Sequence, residues 1–418
     1  VIVGFGVVFR VIMLFGEPIH ENDFYRYLWD GKSLINGVNP YLYEPAALYM
    51  YEQGIEEDYL EPITETTLRG RVWTTDDIER LEVLRQLRDE NPTPFYRIGH
   101  WQVPTIYPPT AQLMFGASQA MFGDSLVGFR IVLMFFDLAS MALILVLLRK
   151  LDRNPAWIVF YAWSPLIITE FINSAHLDIM PIAFTLLAIV LAINGRRIPA
   201  AAGLVVGILG KYFSGFLFPI LIRPNWRGLL IYVISGIAVL LAFAPFLVWQ
   251  FAGLEVFRGL GVYTERWQNN SGAFLAIDQL VSVLVPAAAD TYIYGKLVVA
   301  ILFLGFIAYL AFTETPDHES MVRKCFCALA MFFFLNPTAF PWYYGWVIPL
   351  LCLFPKPSWL VLSLSLQLYY LDFHDEYPII YESWLGIPVL NWVTWGSFGV
   401  IWIAEQFLRP NSDTKSDA

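Results

Sequence analysis

Between positions 17 and 45 the chain reads EPIHENDFYRYLWDG and then KSLINGVNPYLYEP, a stretch dense in charge and aromatic rings. If Asp23 opens a helix, Asp23, Arg26, Tyr27 and Asp30 recur at i, i+3, i+4 and i+7, so two carboxylates, a phenol and a guanidinium share one face. A carboxylate so placed can take a proton from a hydroxyl, and the guanidinium can position a phosphate or hold the second carboxylate. The structural alternative is a helix capped by Asn22 or Asp23, with Arg26 bridging to Asp30. Either way the helix has a stop. Asn36 and Gly37 suit a left-handed cap, and Asn39 with Pro40 turns the chain away.

Other ionisable groups lie inside apolar stretches, where they need partners or a role. Arg130 and Asp137 fall on one helix face and read as structural pairing with neighbouring helices, as does Arg10. Lys211 differs, because its setting GKYFSG would let an anion approach closely. His176 and Asp178 are too sparse for a metal site and read as a capped turn or a substrate contact. Trp342 and Tyr343 suit an interfacial belt, with stacking on a sugar as the alternative. The three cysteines match neither a zinc nor a redox spacing and read as buried and structural.

These groups need elements to position them, and composition puts those elements in a bilayer. Hydrophobic residues make up 57% of the chain and charged ones 15%, against about 25% in soluble domains. The net charge of −10 is local: residues 16–106 hold 17 acidic residues and 8 Lys or Arg. No polybasic surface results, which sets nucleic-acid binding aside. Apolar spans are expected at 1–15, 126–148, 156–169, 179–193, 228–249, 292–312, 325–335, 342–354, 359–371 and 389–407. The first is shorter than the roughly 20 residues of a span and reads as a truncated transmembrane helix. Basic clusters at Arg149, Lys150 and Arg153, then Arg196–Arg197, Arg223 with Arg227, Arg323 with Lys324, and Lys356 mark the cytoplasmic side. On that orientation residues 107–122 form an in-plane or re-entrant helix. Residues 199–222, between two basic clusters, form a broken V-shaped pair that carries Lys211 outward. In the outer loop, residues 76–90 read as an amphipathic helix through Ile78, Leu81, Leu84 and Leu87, while 46–67 show no clear period.

The run DFYRYLWDG followed by NGVNPY resembles the first extracytoplasmic loop of polytopic GT-C glycosyltransferases, in the branch resembling polyprenyl-phosphate-mannose-dependent mannosyltransferases. YPPTAQ at 107–112, EFINSAHLD at 170–178 and NPTAFPWYYGW at 336–346 resemble that family's later motifs. The resemblance implies an all-α polytopic fold, a GT-C-like bundle of about 10 to 13 transmembrane helices with a long extracytoplasmic first loop. Its divisions would be the first helix at 1–15, the loop with the catalytic motif at 16–106, a multi-span domain at 107–407 and a polar cytoplasmic tail at 408–418. It implies a plasma or inner membrane location with the active site facing outward. A sugar, mannose in this branch, would pass with inversion from a polyprenyl-phosphate donor to a glycan, lipid or protein acceptor among membrane lipids. Asp23 matches the family's catalytic position, although the context ENDF, where several relatives show adjacent acidic residues, leaves Glu21 open as the base. Arg26, Tyr27, Asp30, Tyr107, His176, Asp178, Lys211, Trp342 and Tyr343 would contact substrate. The resemblance implies no cofactor and no metal, although His20 beside Glu21 and Asp23 could contribute to a cation site. The competing class is a secondary transporter or flippase for an amphipathic lipid-linked substrate, which would also use broken helices and a midplane lysine.

Overall fold

The element that carries the candidate residues is a helix, and its ends follow from local chemistry. A computed structural model describes residues 1–19, 22–53, 73–284, 291–373, 383–384 and 387–407. Helix α1 runs Ile2–Leu14 and α2 runs Asp23–Ile35, with Asp23 in the first turn of α2, where the helix dipole favours a carboxylate. His20 and Glu21 lie outside the described residues. Gly37 ends α2 in the left-handed region at φ 80°, and Val38 N–H returns to Ser33 O at 3.0 Å. The buried Asn39 then donates from Nδ2 to the carbonyls of Phe246 and Trp249, tying the turn to the far end of another helix.

Among the described residues three helices are long and apolar enough to cross a bilayer, Leu126–Lys150, Trp226–Phe251 and Tyr292–Phe312, and one bent pair would make a fourth. Shorter apolar helices include Ile2–Leu14, Ile179–Ile193, Arg197–Gly210 and Ala273–Leu284. The chain is therefore a helical membrane protein. Its described β-structure is the two-residue antiparallel pair Ser383–Trp384 with Ile387–Pro388 and a bridge from Asn269 to Thr338. Length and composition of the described residues do not confirm the ten to thirteen spans expected, because proline and short helices interrupt several apolar runs.

The expected span at 156–169 is the bent pair, Pro155–Ala162 and Pro165–Asn173, meeting at 53°. Ser164 caps the second half, accepting from Ile167 N–H at 3.3 Å, and Pro165 has no amide with which to continue the first. Residues 342–354 hold two single turns, Pro341–Tyr344 and Ile348–Leu351, rather than one crossing. Residues 359–371 divide between the helix Pro357–Ser365 and tighter 3-10 turns over Leu366–Phe373. Ala273–Leu284, absent from the expected spans, packs against Thr291–Phe312.

The acidic segment before residue 107 is less of a loop than its composition implies. Helix α3, Pro45–Gln53, occupies the start of the stretch without a period, and the rest of that stretch lies outside the described residues. Helix α4, Thr75–Glu90, is opened by a capping box in which Thr74 and Asp77 bond each other's backbone. Leu81, Leu84 and Leu87 of α4 are buried under Trp29 and Tyr41, but Ile78 is 39% exposed. A spacing of three walks backwards around a 3.6-residue helix, so the first of four such residues leaves the buried face. Helix α2 crosses the Pro109–Phe122 helix at Gly31, where a Cβ would stand 2.5 Å from Phe115 O. Only glycine permits that approach, and it locks the candidate face to the membrane bundle.

The broken pair expected at 199–222 is present. Arg197–Gly210 ends at Lys211, whose backbone is extended (φ −158°, ψ 133°), and the chain folds back through the turns Tyr212–Leu217. The return brings Ser214 against Gly207 and sets Ile222 in one apolar cluster with Ala200 and Ala201.

Candidate functional site

Lys211 sits at that break, and separate stretches of chain meet around it. Its Nζ donates to both carboxylate oxygens of Asp178 at 2.7 Å, and Trp346 Nε1–H reaches Asp178 Oδ1 at 2.8 Å. The ammonium lies 4.1 Å from the centroid of the Tyr343 ring and 5.3 Å from that of Phe213. The Tyr343 hydroxyl meets that of Tyr263 at 2.6 Å. Asp178 is held by a turn with Ala175 at φ 58°, a strained conformation for a residue with a Cβ, and it stands at the start of Ile179–Ile193. The strain sits where backbone bonds from Ser174 to Thr169 and from His176 to Glu170 close the preceding π-helical stretch.

The α2 face is the second half of the site. The Tyr27 hydroxyl donates to Asp23 Oδ2 at 3.5 Å, and its ring stands edge-on to Tyr107 at 5.0 Å. Burial pushes the Tyr27 phenol well above its ordinary pKa, and the neighbouring Tyr107 and Asp23 add to the shift, so it stays a proton donor to Asp23. Asp23 lies within charge-interaction range of Tyr107, Tyr263 and Lys211. Among the described residues this half-buried carboxylate accepts one long bond, whereas Asp30 and Asp178 are firmly held. Asp30 takes Arg26 Nε at 2.8 Å and Gln112 Nε2 at 3.1 Å. Arg26 thus positions a carboxylate and the Val103 carbonyl, the second of the roles open to it.

His176 belongs to an adjoining cluster. It stacks on Trp342 at 4.0 Å, which stacks in turn on Phe340, and its Nδ1 lies 3.1 Å from Glu170 O. The Glu170 carboxylate accepts from the Tyr370 hydroxyl at 2.7 Å. Trp342 and Tyr343 are both buried, which overturns the interfacial belt and leaves ring packing inside the protein. Sequence reasoning missed Tyr263 and gave Trp346 no role. Trp346 closes a quoted motif and was in that sense visible, while Tyr263 carries no local signal.

Arg10, Arg130 and Asp137 make two further sets of contacts. Arg10 pairs with Asp137, which also accepts from the Tyr161 hydroxyl at 2.8 Å. Arg130 donates instead to the carbonyls of Leu14, Gly16 and Asn173, pinning the end of α1.

Fold and site together define a helical membrane protein in which a buried aspartate, phenols and a lysine meet at a helix break. Residues 97–224 match the family model described as alpha-(1->6)-mannopyranosyltransferase, N-terminal domain, of the MptA/B family, a GT-C mannosyltransferase family. That stretch contains Tyr107, His176, Asp178 and Lys211, while Asp23, Tyr263 and Tyr343 lie outside it. The match supports a glycosyltransferase with a sugar donor and an acceptor, and mannose as the sugar. No curated protein and no solved structure matches the chain.

Proposed function

We propose that the protein transfers mannose, with inversion, from a polyprenyl-phosphate donor to an acceptor hydroxyl on the outer side of a plasma or inner membrane. The observation that carries this reading is a loosely held carboxylate, Asp23, within charge-interaction range of a lysine that stands at a helix break. In this reading Asp23 takes the proton of the acceptor hydroxyl as its oxygen attacks the anomeric carbon. The bond from that carbon to the phosphate oxygen breaks, and the lipid phosphate leaves with the electron pair. The charge developing there faces Lys211, whose third N–H is not used by Asp178. An α-linked product formed with inversion requires a β-linked donor. Tyr263 and Tyr343, whose hydroxyls meet beside Lys211, would contact the sugar, and residues 16–106 would supply the outward catalytic segment.

The test is transfer of radiolabelled mannose from a polyprenyl monophosphate to octyl α-mannoside by the purified protein in detergent. Wild type should form product, where a transporter or flippase forms none. Asp23→Asn should lose about 10²- to 10⁴-fold in kcat, because a near-isosteric amide cannot take the proton. Asp30→Asn should lose stability or affinity with appreciable turnover remaining. Near-wild-type transfer by Asp23→Asn would sink the mechanism and turn attention to Glu21. Orientation has its own check: a cysteine at the exposed Glu79 should react with an impermeant thiol reagent in intact cells and one at Arg196 should not. Labelling at Arg196 would reverse the assignment of sides.

A further inference from the structure

His176 stands two residues before Asp178, the carboxylate that holds Lys211, in a turn that its own backbone does not favour. Ala175 lies in the left-handed region at φ 58°, and such strain persists where the surroundings over-determine it. The preceding Ile168–Asn173 is π-helical, a turn that recurs at functional sites.

Side chains from distant segments supply the restraint. Nδ1 of His176 lies 3.1 Å from the Glu170 carbonyl oxygen and 3.3 Å from a Glu170 carboxylate oxygen. A carbonyl oxygen can only accept, so Nδ1 carries the proton and donates to it. The Glu170 carboxylate is fixed in turn by the Tyr370 hydroxyl, which stands 2.7 Å from both of its oxygens. Glu170 and His176 are 0% exposed, so the imidazole offers a substrate no surface to touch.

The imidazole ring stacks on Trp342 at 4.0 Å and 13°, and Trp342 on Phe340 at 4.2 Å and 10°. Trp342 shares the single turn Pro341–Tyr344 with Tyr343, whose ring borders Lys211, and precedes Trp346, whose Nε1–H reaches Asp178. The stack therefore joins the two segments that border Lys211, one through Asp178 and the other through Tyr343 and Trp346.

We propose that His176, fixed by Glu170 and Tyr370, is a positioning residue that keeps Asp178 and Trp346 in place and so aims the Lys211 ammonium at the donor phosphate. The inference rests on the mannosyl-transfer reading for its effect on the donor. It replaces the substrate contact that the resemblance implies for His176, and it gives a part in donor use to Tyr370, which lies outside the family match.

Three variants separate these roles. His176→Phe keeps a ring against Trp342 but removes the N–H, His176→Asn sets an amide N–H near the position of Nδ1, and Tyr370→Phe removes one hydroxyl. In the mannose-transfer assay, His176→Phe and Tyr370→Phe should each lower kcat/KM for the donor about ten-fold, the equivalent of one weakened hydrogen bond, with the acceptor KM unchanged. His176→Asn should recover most of that loss. In a Lys211→Met background His176→Phe should have no further effect, because its effect passes through Lys211. A full additional loss there would mean that His176 touches substrate, and would overturn the proposal, as would unchanged donor use in the folded Phe variants. Should His176→Phe fail to fold, Tyr370→Phe carries the same tests. Fluorotryptophan labelling with fluorine NMR in detergent reads the same linkage without any transfer. The Trp346 signal, assigned by its loss in Trp346→Phe, should shift in His176→Phe and in Tyr370→Phe. A shift supports the linkage even if wild type transfers no sugar, which would sink only the glycosyltransferase reading. An unmoved Trp346 signal removes the linkage even if transfer occurs.

Discussion

Arg10 meets Asp137 and Lys211 meets Asp178, two buried pairs of a cation with an aspartate in one helical bundle, yet their surroundings differ. Both side chains of the first pair are 0% exposed, and the guanidinium spends its remaining donors on the carbonyls of Gly6 and Ala162. Asp137 takes a further bond from Tyr161, so this network is closed. In the second pair the lysine side chain is 14% exposed, sits at an extended break rather than inside a helix, and is bordered by aromatic faces instead of carbonyls. A closed pair can only hold helices together. A pair with a spare donor beside a loosely held carboxylate can exchange partners with a ligand.

The largest expected effect breaks the closed pair. Arg10→Met leaves the Asp137 carboxylate buried without its cation, which costs about 3–5 kcal/mol. Thermal unfolding in detergent should show a large loss, and Arg10→Met with Asp137→Asn should recover much of it because neither charge is then stranded. An Arg10→Met protein as stable as wild type would mean that the pair is not closed.

Lys211→Met should act in the opposite balance. Asp178 keeps the Trp346 N–H at 2.8 Å, and Lys211, unlike Arg10, is partly exposed so that water can take its place, so stability should fall less than in Arg10→Met. Use of the lipid-phosphate donor should weaken by about 1.5–3 kcal/mol, with Lys211→Arg restoring part of it. If the folded Met variant keeps wild-type kinetics, Lys211 is structural and the contrast between the two pairs disappears.

How much of this contrast could be read in the sequence depends on distance along the chain. The α2 face, its glycine stop and the break at Lys211 follow from neighbours within a few residues, and the structure has all three. The helix Ile179–Ile193 matches its expected limits because a turn precedes it and Asn194 and Gly195 follow. Partner choice was not legible: spacing puts Arg130 and Asp137 on one helix, but which neighbour each meets depends on how α1 and the bent pair dock. The same holds for Tyr263, brought to Tyr343 across 80 residues, and for Tyr370, brought to Glu170 across 200. Ala273–Leu284, at 12 residues, is too short to read as a crossing, and only its packing on Thr291–Phe312 explains it.

A third pair grades the comparison at its weak end. Lys32 Nζ donates to Asp124 Oδ2 at 3.1 Å, with side chains 11% and 17% exposed, in the turn after the Pro109–Phe122 helix. Burial raises the Asp124 pKa, but hydrogen bonds from Asn91, Gln119 and Lys32 outweigh it and hold the carboxyl below its ordinary value. A carboxylate with a lowered folded pKa stabilises the fold above its unfolded value of about 3.9 and loses that contribution as pH falls through the folded value. Solvent access reduces the expected contribution to about 1 kcal/mol, so Asp124→Asn should lower the unfolding temperature only slightly at neutral pH. The gap between wild type and Asp124→Asn should be constant above about pH 5 and should close as acid protonates Asp124 in the wild type. Unfolding followed in detergent from about pH 7 down to about pH 3 measures that gap. A gap that stays constant across the whole range would show that the Asp124 charge contributes nothing, leaving the two pairs inside the bundle as the ones that matter.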